Sequence, residues 1–206
     1  MAKEREMKIT KDKKEKIIKA AIQILSKKGF QASPMPLIAK KAQVATGTIY
    51  TYFKNKDQLI KSCFFFIEDE IINCLSLKLN GTVSVKEQVI RFWTELLNYI
   101  IANPTYFAYL EQFHNSPYGI SLRKDRIVGI GNNEPSIFVS VMEDGIKKKE
   151  IKEMPMTLLC ALVFGPIYFL SRDHLLGFTK LNDDLIKQGA EACWKSLVRI
   201  EKRRCA

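Results

Sequence analysis

Residues 33–56 read SPMPLIAKKAQVATGTIYTYFKNK, and this stretch constrains the chain more than any other. It predicts a short helix, a tight turn and a second short helix that carries hydroxyls and phenols and is followed by lysines. Two helices crossing this closely need a small residue where they touch, and Ala39 fills that place. Leu37 or Ile38, Val44 and Ile49 then form an apolar underside. That leaves Thr46, Thr48, Thr51 and Tyr52 facing outward, with Tyr50 near the edge. Short hydroxyls and phenols suit phosphate oxygens and thymine methyls, and Lys54 and Lys56 follow where a duplex backbone would pass. The layout is that of a helix-turn-helix that enters the major groove of DNA.

Charge placement points the same way. Residues 1–56 hold 14 Lys and Arg against 4 Asp and Glu, whereas residues 57–206 hold 19 against 18. Nearly all of the net charge of +11 therefore lies in the segment with the helix pair. A basic end on a near-neutral body is an electrostatic footprint for phosphates. The second helix of the pair has no Arg, Asn or Gln after Gln43, so bidentate base readout is scarce. Affinity is expected to lean on phosphates and on the Lys3–Lys16 arm, with specificity drawn partly from thymine methyls and DNA shape.

Other classes fare poorly. Cys63, Cys74, Cys160, Cys193 and Cys205 are widely spaced, which argues against a disulfide framework or a zinc site and for reduced thiols in a cytoplasmic protein. The Lys-rich start lacks the pattern of a signal peptide. The longest apolar run, LLCALVFGPIYFL at 158–170, is too short to span a bilayer and predicts a buried helix, so no membrane partner is expected. The two histidines, His114 and His174, fall on separate predicted helices, and no hydrolase, metalloprotease, dinucleotide or P-loop motif is present. No enzyme activity, catalytic residue, metal or cofactor is expected.

Almost every periodic segment fits a helix. Thr10 caps the first, which Gly29 stops; Ser33 caps the second, with Pro34 and Pro36 in its first turn. Asn55 with Gln58 and Ser84 with Glu87 read as capping boxes for helices ending near Asn80-Gly81 and Ala102. Asn103-Pro104 opens the next, to about Asn115. Residues 116–134 read as loop-rich with a short helix at 121–128. Pro135, Pro155 and Asn182 open the last three, Gly177 closes the second of these, and Pro166 should kink it. The predicted fold is all-α with about nine helices. Residues 1–56 form a three-helix DNA-binding domain, and residues 57–206 a larger helical domain for ligand binding and dimerisation.

That body is rich in rings. Most should be core, but an apolar cavity between helices is expected to draw on Phe64, Ile67, Glu68, Trp93, Leu96, Tyr106, Tyr109, Phe113, His114, Phe164 and Tyr168, for a small hydrophobic or aromatic ligand. The helix at 155–176 is apolar all round, and the helix at 182–203 offers small residues that permit close approach. Two such helices from each chain make a four-helix homodimer interface.

Over roughly residues 12–60 the chain resembles the tetracycline-repressor (TetR) family. The resemblance is carried by Ile38-Ala39, Val44, Gly47-Thr48-Ile49-Tyr50, Tyr52-Phe53, Lys56 with Leu59, and a first helix ending at Gly29-Phe30. It is looser beyond, where residues 164–168 (FGPIY) and 174–177 (HLLG) look like the family's late helices. The resemblance implies a homodimeric repressor on an inverted-repeat operator in double-stranded DNA, released by a small ligand in the carboxy-terminal domain. By position it implies Thr46, Gly47 and Thr51 near bases, Tyr50 at backbone or base, and Ser33, Thr48, Tyr52 and Lys56 at phosphates. Three residues depart from the pattern: Gln43 stands at a turn position where the family has glycine, Ala45 replaces a hydroxyl cap, and Pro36 replaces a polar first-turn residue. Two alternatives stay open, a regulator that takes no small ligand and a transcriptional activator.

Overall fold

The structure, a computed structural model, describes residues 2–78, 83–127 and 137–199. Ten helices occupy them: α1 (Ala2–Lys28), α2 (Met35–Ala42), α3 (Thr46–Tyr52), α4 (Lys56–Lys78), α5 (Val85–Ala102), α6 (Pro104–His114), α7 (Pro117–Ile127), α8 (Ile137–Lys147), α9 (Met156–Leu175) and α10 (Asp183–Leu197). Among the described residues the β content is one isolated antiparallel bridge, Ile151 to Val198. The all-α expectation holds, with one helix more than the nine anticipated.

Several boundaries follow from the residues named for them. Asn55 accepts from the Gln58 amide at 2.9 Å to cap α4. The Gln58 side chain reaches back to the Lys54 amide, at 2.5 Å, one residue earlier than a standard capping box. Ser84 accepts from Glu87 at 3.2 Å to cap α5, and Asn182 from Leu185 at 2.9 Å to cap α10. Gly29 (φ 78°) and Gly177 (φ 79°) close α1 and α9 in the left-handed conformation. Helix α9 runs through Pro166 without interruption. The boundaries assigned to Asn80-Gly81 and Pro135 lie outside the described residues.

Three expectations need correction. Thr10 caps nothing, because α1 begins at Ala2. Residues 2–9, AKEREMKI, contain no Gly or Pro and are mostly strong helix formers, so nothing breaks the helix there. Ser33 does not cap α2, whose N-cap is Pro34. Its hydroxyl is buried and donates instead to the Gly29 carbonyl at 2.6 Å, finishing the end of α1. Finally, the stretch read as loop from 116 holds α7 from Pro117 onward. Gly119 lies in its first turn because a Cβ there would sit 2.2 Å from the Phe113 carbonyl oxygen. The glycine marks a close approach of backbone rather than a break.

The chain forms two compact units. The first holds α1–α3, α4 as far as Glu70, α6 and α7; the second holds α4 from Ile71, α5 and α8–α10. Compactness thus divides the chain differently from the functional boundary expected at residue 56. The reason is three long-range hydrogen bonds within the first unit. The Tyr109 hydroxyl donates to the Ile60 carbonyl at 2.5 Å, Gln112 Nε2 to the Ser26 carbonyl at 2.7 Å, and the Tyr118 hydroxyl to Asp57 Oδ1 at 2.6 Å. The last bond, with added burial, pushes the Tyr118 hydroxyl up to about 12. Around them Ile17, Ile22, Leu25, Leu59, Ile67 and Phe113 are buried. Burial also pushes the Cys63 thiol up, which makes it a packing group rather than a nucleophile.

In the second unit α5 packs on α8, α9 and α10. Its buried side carries Val89, Phe92, Trp93, Leu96, Leu97 and Ile100. Helix α9 contributes Leu159, Val163, Ile167 and Ser171, a stripe at intervals of four that lines one face.

Candidate nucleic-acid interface

Helices α2 and α3 form the expected crossing. Ala39 is 2% exposed, and Ile38 and Ile49 are fully buried beneath it. Between the helices Gln43 takes the left-handed conformation, φ 56° and ψ 45°. Its amide bonds back to Lys40, and the Val44 amide donates to the Ala39 carbonyl at 3.1 Å. The glycine position is therefore real, and this chain fills it with a residue that pays for its Cβ. Gln43 Oε1 accepts from Lys16 Nζ at 3.2 Å, an exposed contact that offsets little of the strain. Ala45 is the N-cap of α3 and offers no side-chain bond, and Thr46 does not take over.

These two positions yield a prediction. Gln43→Gly and Ala45→Ser should each stabilise the protein, by about 1 kcal/mol for the glycine and about 0.5–2 kcal/mol for the cap. Thermal unfolding should show each midpoint rising by about 2–4 °C per kcal/mol. A midpoint lowered by either change would contradict the strain and capping arguments.

The outward surface of α3 is built from what the pattern named. Gly47, Tyr50 and Thr51 are exposed, and Thr46, Thr48 and Tyr52 are half-buried. Lys54 is exposed and Lys56 half-buried just beyond. The Thr51 hydroxyl donates to the Thr48 carbonyl at 2.7 Å, which fixes its rotamer. A Cβ on Gly47 would meet nothing within 4 Å. Ser33 stands apart: it was expected at a phosphate, yet it is fully buried with its hydroxyl committed, so it serves the fold.

Two lysines that pattern reading left in the general arm have defined places. Lys16 reaches the α2–α3 turn, and Lys14 Nζ lies 6.0 Å from the centre of the Phe53 ring, at the end of α3. Helix α1 also borders a groove of about 390 Å³ lined by Asp12, Glu15, Lys16, Lys19, Ala20, Gln23, Lys41 and Ala42.

The residues named for a ligand cavity divide between the units. Phe64, Ile67, Glu68, Tyr106, Tyr109, Phe113 and His114 lie in the first; Trp93, Leu96, Phe164 and Tyr168 lie in the second. Phe64 stacks on Phe113 at 4.3 Å, with His114 edge-on to Phe64 at 5.7 Å. In the second unit Phe164 approaches Phe92 at 5.9 Å and Phe138 at 4.8 Å. Two buried polar atoms there, Trp93 Nε1 and Ser171 Oγ, have no hydrogen-bond partner. Sequence reading missed Phe138 and Ser171. The signal for Ser171 was its place four residues after Ile167 on an otherwise apolar stripe. Among the described residues no cluster of three metal-binding side chains occurs.

Comparison with known proteins bears on this geometry. Residues 17–63 match the family of bacterial regulatory proteins described as the tetR family, and residues 84–198 match the tetracyclin repressor-like C-terminal domain. The fatty acid metabolism regulator protein of Bacillus subtilis is 29% identical over 162 residues, 78% of this chain and 82% of that protein. The HTH-type transcriptional regulator YhgD of the same organism is 27% identical over 167 residues, 79% of this chain and 86% of that protein. A TetR family transcription regulator from Marinobacter aquaeolei superposes with a TM-score of 0.80 at 24% identity, over 95% of this chain and all of the other. FadR from Bacillus subtilis, solved with stearoyl-CoA, superposes with a TM-score of 0.70 at 23% identity, over 90% of this chain and 98% of its own. The two family matches cover the helix-turn-helix and most of the helical body, and the chain therefore belongs to the TetR family as a DNA-binding transcriptional regulator.

Proposed function

We propose that the protein is a homodimeric repressor that sits on an inverted-repeat operator and leaves it when a small hydrophobic ligand binds the helical body. On this reading residues 1–56 meet DNA and residues 57–206 pair the subunits and sense the ligand. The observation that carries it is the surface of α3: exposed Gly47, Tyr50 and Thr51 above a fully buried Ile49, followed by Lys54 and Lys56. Thr46, Gly47 and Thr51 face base edges. Tyr50, Thr48, Tyr52, Lys54 and Lys56 take phosphates and the groove wall. The protein works in the cytoplasm, where its DNA is, and has no catalytic role.

The ligand half of the reading is supported by the orphaned Trp93 Nε1 and Ser171 Oγ. A buried donor left unpaired costs about 1–3 kcal/mol, which a ligand acceptor would recover. The ring cluster of Phe92, Phe138 and Phe164 in the same unit suits an apolar tail. The relatives named for fatty acid regulation favour a long-chain acyl group as that tail. Release is then a population shift: the ligand lowers DNA affinity by its preference for the arrangement that fits DNA less well.

Selection of bound fragments from random duplexes tests the first half. The expected winner is an inverted repeat with half-site centres about one helical turn apart, roughly 34–36 Å. A winning sequence without dyad symmetry would count against a dimer. For the second half, stearoyl-CoA and the free fatty acid are titrated while melting and operator affinity are followed. A ligand that stabilises the protein yet leaves operator affinity unchanged would count against release.

A further inference from the structure

The first unit carries a second cationic surface, outside the recognition helix. Helix α1 extends to Ala2, so residues 2–16 precede residue 17, where the family match begins. The end of this extension lies beside the α2–α3 turn and the end of α3. Lys16 bonds Gln43, two residues ahead of the N-cap of α3, and Lys14 lies over Phe53, its C-cap. Lys11, three residues ahead of Lys14, falls on the same side of the helix. Lys11, Lys14 and Lys54 are all exposed. Asp12 and Glu15 line the groove together with Lys16, Lys19 and Lys41, and Glu15 is paired with Lys19 at 2.6 Å. The exposed Lys11, Lys14 and Lys54 thus set three positive charges on the side of α1 that meets the end of α3.

We propose that the amino-terminal extension of α1 is a second DNA-contacting element. Lys11 and Lys14, continuous with Lys54, hold the sugar–phosphate strand that borders the groove entered by α3. The inference rests on the DNA-binding reading and adds to it a contact that no helix-turn-helix residue supplies. Phosphates carry no sequence information, so the extension strengthens binding to any duplex and leaves sequence preference alone.

The test compares the full chain with its Lys11→Gln/Lys14→Gln variant on a mixed-sequence duplex and on a selected operator, as a function of salt. Each lost phosphate contact should flatten the slope of log affinity against log salt by about 0.9, so the pair should flatten it by about two. Affinity should fall about tenfold at roughly 0.1 M salt, by the same factor on both duplexes. Lys11→Arg/Lys14→Arg should restore both values. Deletion of residues 2–9, which leaves the core from Ile17 onward in place, should flatten the slope as well. A variant pair with the parental slope and affinity overturns the inference while the DNA-binding reading stands. So does a loss confined to the operator, which would mean base contacts. A parent chain that binds no duplex overturns the reading itself.

Discussion

Gly47→Glu is expected to raise the melting temperature and, in the same protein, to abolish specific DNA binding. The two effects come from one position and have separate causes. Gly47 is the second residue of α3, after the N-cap Ala45. A glycine inside a helix costs about 0.5–1 kcal/mol relative to alanine. Packing gives no reason to bear that cost here, since a Cβ would meet nothing within 4 Å. A glutamate near the helix start adds about 0.3–1 kcal/mol through the macrodipole. The fold should therefore gain about 1–2 kcal/mol, or several degrees. On the proposed reading, the bare backbone serves the close approach of DNA. A carboxylate side chain would intrude between α3 and the groove and set a negative charge against phosphates. Affinity for the operator should fall to the non-specific level, a loss of about a thousandfold or more. Gly47→Ala separates the causes: it should stabilise the fold while weakening operator binding modestly, by contact alone. Operator affinity unchanged in Gly47→Glu would remove α3 from the interface.

The same contrast explains how far the sequence could be read. Signals that act within four residues were legible. Asn55, Ser84 and Asn182 cap the helices that their spacing announced, and Gly29 and Gly177 end theirs with positive φ. The turn residue Gln43 was flagged by its place in the motif, and its φ of 56° gives the flag its physical content. Signals that depend on a distant partner were not legible. Gly119 read as a loop residue because nothing nearby in sequence reveals that the Phe113 carbonyl crowds it in space. Ser33 reads as a cap because a serine before a proline suits the start of a helix, and as a phosphate contact only through the family resemblance. Its hydroxyl instead turned inward, to Gly29. Thr10 has the chemistry of a cap, yet a cap starts a helix only where the preceding residues do not favour continuing it.

The residues expected at a ligand cavity divide between the two units for a related reason. Helical spacing correctly put Tyr106, Tyr109, Leu110 and Phe113 on α6, but periodicity says which residues share a helix and not what faces them. Tyr109 turned to Ile60 and Phe113 to Phe64, filling the interior of the first unit. Rings on α5 and α9 belong to the second. Rings such as Phe64, Phe92, Tyr109 and Phe113 are buried, and the unpartnered polar atoms, Trp93 Nε1 and Ser171 Oγ, become visible only in the structure.

Leu158→Asp/Phe169→Asp should convert the protein to a monomer and weaken operator binding by about 100- to 10,000-fold. Among the described residues, five of the nine large exposed hydrophobic residues fall on α9, α10 and the turn between them: Leu158, Phe169, Leu176, Phe178 and Leu185. Phe178 is 76% exposed and Phe169 61%, high values for large apolar side chains. Leu158 and Phe169 are eleven residues apart, three turns of helix, and so share one stripe, with exposed Ala161 and Gly165 between them to admit a close neighbour. By length and composition α9 could also cross a membrane, and only 22% of its apolar window is buried. Its opposite stripe, Leu159, Val163, Ile167 and Ser171, already packs within its own unit, and Arg172, Asp173 and His174 fill its last turn. A helix committed on one side and bare on the other calls for a second copy of the same surface, not for lipid all round. Dimerisation matters to DNA because the second half-site binds at the high effective concentration set by the first, and a monomer forfeits that gain. Light scattering after gel filtration reads the first effect and operator titration the second. A double variant that stays dimeric places the subunit contact elsewhere, while a monomer with parental operator affinity would show that each head binds alone.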